Sequence, residues 1–104
     1  MNILCANYSA CMIACPTRST LFFICSADRN KGPILDVIKR HLPGDSSSSS
    51  AYSILELASG TGQHAEFIAS AFPLSYFCPS DYVDLLFKSI SVHCQNRPNV
   101  APPK

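Results

Sequence analysis

The sequence predicts an α/β fold, specifically the opening half of a doubly wound parallel sheet. Segments of helical and strand-like character alternate between residues 33 and 95, in the order helix, strand, helix, strand, helix. The first strand-like run leads directly into a glycine-containing loop, and the helix after that loop has a single apolar stripe. Such alternation is typical of parallel sheets whose strands are joined by right-handed helical crossovers.

The first helix is predicted over residues 33–42, where apolar residues recur at helical spacing. Pro33 suits the first helical turn, because the N–H that proline lacks would have no partner there. The polar residues 28–32 predict a turn before this helix, and a Pro-Gly pair ends it. The acidic and serine-rich run 45–50 then predicts a flexible linker.

The later elements start with a predicted strand over residues 52–58, a mostly apolar run of the kind found in buried parallel strands. The next helix is predicted over 63–72, because its apolar residues fall at positions i, i+3, i+4 and i+7. A second strand over 74–78 and a third helix over 82–95 follow. The Pro-rich remainder, 96–104, has no periodicity, although its Asn-Val pair resembles the approach to a third strand.

Length and charge exclude several classes of protein. The chain has 104 residues, enough for one small domain, and 47% of them are hydrophobic, which is too many for a disordered tail. Eight basic and seven acidic residues give a net charge of +1, so no basic face for nucleic acid is predicted. We therefore expect a small-molecule partner, with neither nucleic acid nor membrane involved.

Residues 1–26 are predicted to be a poorly ordered leader that precedes the organised domain. This leader lacks the basic start of a signal peptide, and Pro16 and Arg18 interrupt the apolar stretch that a membrane span would need. We place the domain itself at residues 27–100 and a short tail at 101–104.

The cysteine pattern favours free thiols. The six cysteines include no C-x-x-C pair, so neither a metal site nor a redox motif is predicted. Four of them crowd into the first 25 residues, which is unlike the regular spacing of a secreted disulfide framework. Reduced thiols are the usual state in the cytosol, so we expect a cytoplasmic protein.

The chemistry is concentrated in the Glu-Leu-Ala-Ser-Gly-Thr-Gly stretch of residues 56–62. Gly60 allows a tight turn out of the strand, and Gly62 leaves room for a ligand to approach the backbone at the start of the helix. Ala65 permits close packing of the helix on the strand. A loop of this form between a strand and a helix is typical of nucleotide-binding sites.

Two acidic residues narrow the choice of ligand. Asp81 follows Gly62 by 19 residues, at the end of the next predicted strand, where a carboxylate can bind both hydroxyls of a ribose. Alternatively, Asp81 caps the following helix. Glu56 lies inside a buried strand, where a charge is costly unless it is functional or is satisfied by a neighbouring backbone group or helix N-terminus. An acid at this position suits a cationic ligand without phosphate better than a dinucleotide.

These motifs resemble the methyltransferase-like 26 family, also called the DUF938 or UPF0585 group. The resemblance covers about residues 27–100 and is carried by residues 27–35, residues 54–64, Phe72-Pro73 and Pro79-Ser80-Asp81. That family is similar to the class I S-adenosylmethionine-dependent methyltransferases. The resemblance therefore implies a partial Rossmann-like fold of the class I methyltransferase type, with S-adenosylmethionine as its cofactor.

The resemblance also implies roles for individual residues. The cofactor site would comprise Arg29, Asn30, Glu56, Ala58, Gly60, Gly62 and Asp81. The acid of the strand and the loop residues would line the methionine side, Asp81 would bind the ribose, and the Arg-Asn pair would close over the pocket. His64 matches the family's loop without an assigned role, and we expect it to be exposed in the first helical turn.

A complete domain of this type has more strands than this sequence supplies. We therefore expect the N-terminal half only, from a truncated isoform or partial gene model, without an acceptor pocket and inactive in methyl transfer on its own. No catalytic residue and no methyl acceptor is assigned. Two alternatives stay open. One is a fragment of an NAD-type dinucleotide-binding oxidoreductase, which Glu56 disfavours, and the other is an inactive interaction module or remnant with an exposed sheet edge.

Overall fold

The computed structural model describes residues 2–5, 12–14, 22–42 and 51–104, and it confirms the α/β class. The strands are β1 (Asn2–Cys5), β2 (Met12–Ala14), β3 (Phe22–Ile24), β4 (Ser53–Leu57) and β5 (Tyr76–Pro79). The helices are α1 (Cys25–His41), α2 (Gln63–Ala71) and α3 (Phe87–His93), and a 3-10 turn (Asp84–Leu86) leads into α3. The predicted linker at 45–50 lies outside the described residues.

The main sheet is parallel and has the strand order β1-β4-β5, while β2 and β3 form a separate antiparallel pair. In the main sheet, Glu56 of β4 lies opposite Leu4 of β1 on one side and Pro79 of β5 on the other. The strand that carries the predicted acid is therefore paired along both of its edges. The α2 crossover between β4 and β5 brings the carboxyl ends of these two strands side by side.

The end of the chain pairs with the sheet. Val100 forms a parallel bridge with Phe77 of β5, which confirms the predicted approach to a third strand. The predicted tail at 101–104 continues along β5, because the Ala101 N–H donates to the Phe77 carbonyl at 2.8 Å and the Lys104 N–H donates to the Pro79 carbonyl at 3.2 Å. The β5 strand therefore also has a neighbour on each side.

Asn99 fixes this last segment to the α2 region. Its side-chain Nδ2 lies 3.1 Å from the Ala69 carbonyl and 3.0 Å from the carbonyls of Phe72 and Ser75. These acceptors lie in the last turn of α2 and in the loop before β5, where the Ala69 and Phe72 carbonyls also accept the backbone N–H groups of Phe72 and Ser75.

Replacing Asn99 with alanine should destabilise the domain. We expect Asn99→Ala to lower the free energy of unfolding by about 2 kcal/mol, because part-buried carbonyls lose their donor. Urea denaturation measures the change. Asn96→Ala, at an exposed position three residues earlier, is the matched control and should stay within about 0.5 kcal/mol of wild type. Equal effects of the two substitutions would contradict this role of Asn99.

Helix α1 begins at Cys25, so the turn predicted over residues 28–32 and the helix start predicted at Pro33 are both wrong. Pro33 instead lies inside the helix on its exposed side, where it removes one N–H without clashing with the core. The buried residues Leu35 and Ile38 bind α1 to the core, and this packing outweighs the local breaking tendency of a Gly-Pro pair.

The predicted leader, residues 1–26, includes β1, β2, β3 and the first two residues of α1, and its remaining residues lie outside the described part of the chain. The domain boundary at residue 26 stays a prediction.

The later elements match their predicted positions closely. The exceptions are that β5 starts two residues after the predicted strand start, and that the third predicted helix is divided into the 3-10 turn and α3.

The two faces of the main sheet differ. The face that contains Ile54 and its register partner Phe77 is fully buried. The helices contribute the rest of this core, namely Leu35, Ile38, Ala65, Ile68, Ala69, Phe72, Ile90 and Cys94. On the opposite face, Tyr76 is 53% exposed and Leu57 is also exposed. A parallel sheet is usually covered on both faces, and among the described residues the helices contribute to the core on one face only.

Candidate functional site

In the loop from residue 58 to residue 62, every second residue has a positive φ angle. Ala58, Gly60 and Gly62 have φ values of +56°, +58° and +94°. Gly60 adopts this left-handed conformation without a steric penalty, as the sequence predicted for a tight turn out of β4. Ala58 adopts it at a cost of about 1 kcal/mol, which the packing around the loop must offset.

Gly62 is required by packing inside the protein. A Cβ atom at this position would lie 2.7 Å from the Cα of Ile90 in α3, which is well inside a van der Waals contact. The bare backbone of Gly62 therefore admits α3, and the expectation that it also leaves room for a ligand stays a prediction. Ser89 strengthens the same contact, since its hydroxyl donates to the Thr61 carbonyl at 2.9 Å.

Two serines hold together the carboxyl ends of β4 and β5. The Ser59 N–H donates to the Ser80 carbonyl at 2.9 Å, and the Ser80 N–H donates back to the Ser59 hydroxyl oxygen at 3.0 Å. The Ser80 hydroxyl also donates to the Glu56 carbonyl at 2.6 Å. Sequence reasoning missed this pair, because a serine beside a glycine loop is also common in ordinary turns.

Asp81 connects the glycine loop to the segment after β5. One carboxylate oxygen accepts the Gly60 N–H at 2.8 Å, and the other accepts the Val83 N–H at 2.9 Å. The second bond forms a local turn just before the 3-10 turn. Neither the 3-10 turn nor α3 has a side-chain cap hydrogen bond, so the alternative that Asp81 caps the following helix is wrong.

Glu56 is the most unusual residue of the site. Its side chain is 1% exposed, and in the described part of the chain Oε2 has no hydrogen-bond partner. Burial raises the pKa of this carboxyl to about 7, a hydrogen bond with Ser59 acts in the opposite direction, and the negative charge of Asp81 raises the pKa further. The alternative that neighbouring groups satisfy Glu56 is therefore met for only part of the carboxyl group.

His64 is buried, so its predicted exposure is wrong. Its Nε2 lies 2.8 Å from the Ala27 carbonyl, which requires that this nitrogen carry the hydrogen. The bond joins the first turn of α2 to the first turn of α1. No local pattern could have shown it, because the two residues are 37 positions apart.

Arg29 and Asn30 lie in α1 just beyond Ala27, and both are exposed. The structure therefore places them at the same end of the domain as the start of α2, on the solvent side of α1. The other five predicted site residues are brought together by β4, the glycine loop and the end of β5. Closure of Arg29 and Asn30 over a pocket stays a prediction.

Tyr82 was not predicted as a site residue. It directly follows Asp81 and is 96% exposed, and Leu85 in the next turn is also largely exposed. The only signal of Tyr82 in the sequence is its position just after the acid.

Two further findings concern metal ligands and membrane spans in the described part of the chain. Among them, no group of three or more histidine, cysteine, aspartate or glutamate side chains is arranged to hold a metal ion. None of the helices in the described ranges combines the length and apolarity needed to cross a membrane. The described cysteines Cys25, Cys78 and Cys94 are free thiols.

The fold and site together define an α/β domain whose buried acid lies at the base of a glycine loop. The chain belongs to the family described as Protein of unknown function (DUF938), whose model matches residues 22–104. This match confirms the DUF938 part of the resemblance, and it begins at the first residue of β3. No solved structure matches the chain.

Proposed function

We propose that the loop of residues 58–62 binds S-adenosylmethionine and that the chain is the cofactor-binding part of a methyltransferase-like protein. The observation that carries this proposal is the buried Oε2 of Glu56, which has no hydrogen-bond partner in the described part of the chain. An unsatisfied carboxylate oxygen in a protein interior costs several kcal/mol unless a ligand supplies a donor. The ammonium group of the methionine moiety is such a donor.

The two acids favour this ligand over a dinucleotide. Asp81 is close enough to Glu56 that its negative charge raises the pKa of Glu56. A pyrophosphate at this loop would add negative charge beside two carboxyl groups in a poorly solvated site, which is unfavourable. S-adenosylmethionine carries no phosphate and has a sulfonium and an ammonium group, so its charge complements the site.

The nucleoside end of the ligand would lie toward the end of β5. Asp81 would accept hydrogen bonds from the ribose hydroxyls. The adjacent Tyr82 presents an exposed aromatic ring on which an adenine can stack. No residue is assigned to the methyl transfer itself, and the methyl acceptor is likewise unassigned.

The open face of the sheet supports the further proposal that this domain is the N-terminal half of a larger one. Leu57 and Tyr76 are exposed on that face, where a parallel sheet of this type would be covered by more helices. We expect transfer activity to require the part that covers this face. Immunodetection of the endogenous protein with an antibody against residues 63–93 would test this, since a product of about 11 kDa alone would contradict it.

Calorimetric titration with S-adenosylhomocysteine tests the cofactor assignment. We expect the wild-type chain to bind, and Tyr82→Ala to weaken binding roughly tenfold, because base–aromatic stacking contributes about 1–3 kcal/mol. Leu85→Ala is the matched control, since Leu85 is similarly exposed but one turn farther along the chain, and it should bind like wild type. Absence of heat at millimolar ligand with the folded wild-type chain would contradict the proposed function.

A further inference from the structure

We propose that Glu56 holds a proton when the site is empty and that the ammonium group of an incoming ligand displaces it, so that each binding event releases one proton to solvent. This inference rests on the proposed function, because it concerns the same site. The site would then select for a cationic head group, because the ammonium group of the ligand replaces the proton of Glu56.

The geometry distinguishes the two carboxyl groups. Asp81 receives a backbone N–H on each of its oxygens, from Gly60 and from Val83. Glu56 has one oxygen without a donor and almost no access to water. When two neighbouring carboxyl groups differ in this way, the proton resides on the less solvated and less hydrogen-bonded group.

In the described part of the chain, no salt bridge is formed with Glu56. The β1 residue opposite Glu56 is Leu4, and Cys94, which directly follows α3, is a thiol whose burial raises its pKa to about 12 and keeps it neutral. Three basic groups have other partners: Arg97 pairs with Glu66 of α2, Lys31 pairs with Asp28 of α1, and His64 bonds to the Ala27 carbonyl. The negative charge of Asp81 raises the pKa of Glu56, which favours the protonated form of Glu56 further.

The exchange balances in charge and atoms. The neutral Glu56 carboxyl loses its proton to solvent as the ammonium group of the ligand enters, and the carboxylate then accepts an N–H hydrogen bond from that ammonium. Affinity should therefore rise about tenfold for each pH unit while the empty site is protonated, and it should level off above the pH at which Glu56 ionises.

The test is calorimetric titration of S-adenosylhomocysteine into the full chain in two buffers of different ionisation enthalpy, with phosphate and Bis-Tris at the lower pH and EPPS and Tris at the higher pH. At about pH 6 we expect a buffer-dependent heat equivalent to release of nearly one proton, and near pH 8.5 almost none. The control ligand is 5′-methylthioadenosine, which has the nucleoside but no ammonium group. It should bind without buffer-dependent heat. Glu56→Gln should abolish the proton release and leave an affinity that changes little with pH.

The outcomes separate this inference from the proposed function. If S-adenosylhomocysteine binds with the same heat in both buffers and with an affinity that is flat between pH 5 and 7, the proton exchange is wrong although the cofactor assignment stands. If nothing binds, the cofactor assignment fails. The ¹³C chemical shift of the Glu56 carboxyl in the free chain then decides the proton's position. A neutral carboxyl at about pH 6 supports a protonated empty site, and an ionised carboxyl overturns it.

Discussion

Gly62→Ala is expected to lower the free energy of unfolding by about 3 kcal/mol, which is a large part of the total stability of a small domain. Two effects add at this position. The backbone has a φ of +94°, which a residue with a Cβ adopts at a cost of about 1 kcal/mol. The new methyl group would also meet the Ile90 Cα at 2.7 Å and would displace α3, at a cost of about 1–3 kcal/mol.

Gly32→Ala is the matched control for this substitution. Gly32 lies inside α1, and a Cβ atom there would have no heavy atom within 4 Å. Alanine is a better helix former than glycine, so this variant should be more stable than wild type by about 0.5–1 kcal/mol. Urea denaturation of wild type, Gly62→Ala and Gly32→Ala tests whether the first substitution lowers the free energy of unfolding and the second raises it. A Gly62→Ala variant as stable as wild type would contradict the packing of α3 against the glycine loop.

The pH dependence of stability is the second large effect. The pKa of Glu56 is raised from 4.5 in the unfolded chain to about 7 in the fold, so the folded state binds the proton more tightly. Its stabilising contribution is complete below about pH 4.5 and is lost as the pH rises to about 7. A shift of this size corresponds to about 3 kcal/mol of stability lost over that range.

Glu56→Gln should remove this dependence, because an amide has no proton to lose. From about pH 5 to pH 8, the free energy of unfolding measured by urea denaturation should fall by about 2.5 kcal/mol more for wild type than for Glu56→Gln. Glu66→Gln is the control, since Glu66 is part-exposed and paired with Arg97, and it should leave the wild-type pH dependence in place. Parallel pH profiles for wild type and Glu56→Gln would contradict the buried, unsatisfied carboxyl.

The segment from β4 to β5 could be predicted from the sequence almost residue by residue. Its signals are local, since an apolar run, a glycine loop and a periodic helix each report their own conformation. The start of α1 could not be predicted in this way. The Gly32-Pro33 pair is a strong local break, whereas the packing of Leu35 and Ile38 on the core that overrides it depends on residues far along the chain.

The residues of the site also divide into those that local sequence patterns predict and those whose roles depend on contacts distant in sequence. The positions of Glu56, Gly60 and Asp81 follow from spacing alone, because parallel strands bring their carboxyl ends to one edge of the sheet. The burial of His64 and the packing role of Gly62 depend on contacts with α1 and α3, which are distant in sequence. Spacing could locate the site, but only the tertiary structure shows that one oxygen of Glu56 lacks a partner in the described part of the chain.

The most direct test of the cofactor assignment compares two ligands on the same folded chain. Calorimetric titrations of S-adenosylhomocysteine and of NAD at about pH 8, where Glu56 is ionised, should show binding of the first and little or none of the second. That result is predicted because the ammonium group of the first ligand meets the Glu56 carboxylate, whereas the pyrophosphate of the second would face two acids. Preferential binding of NAD, or heat from neither ligand at millimolar concentration, would contradict the assignment.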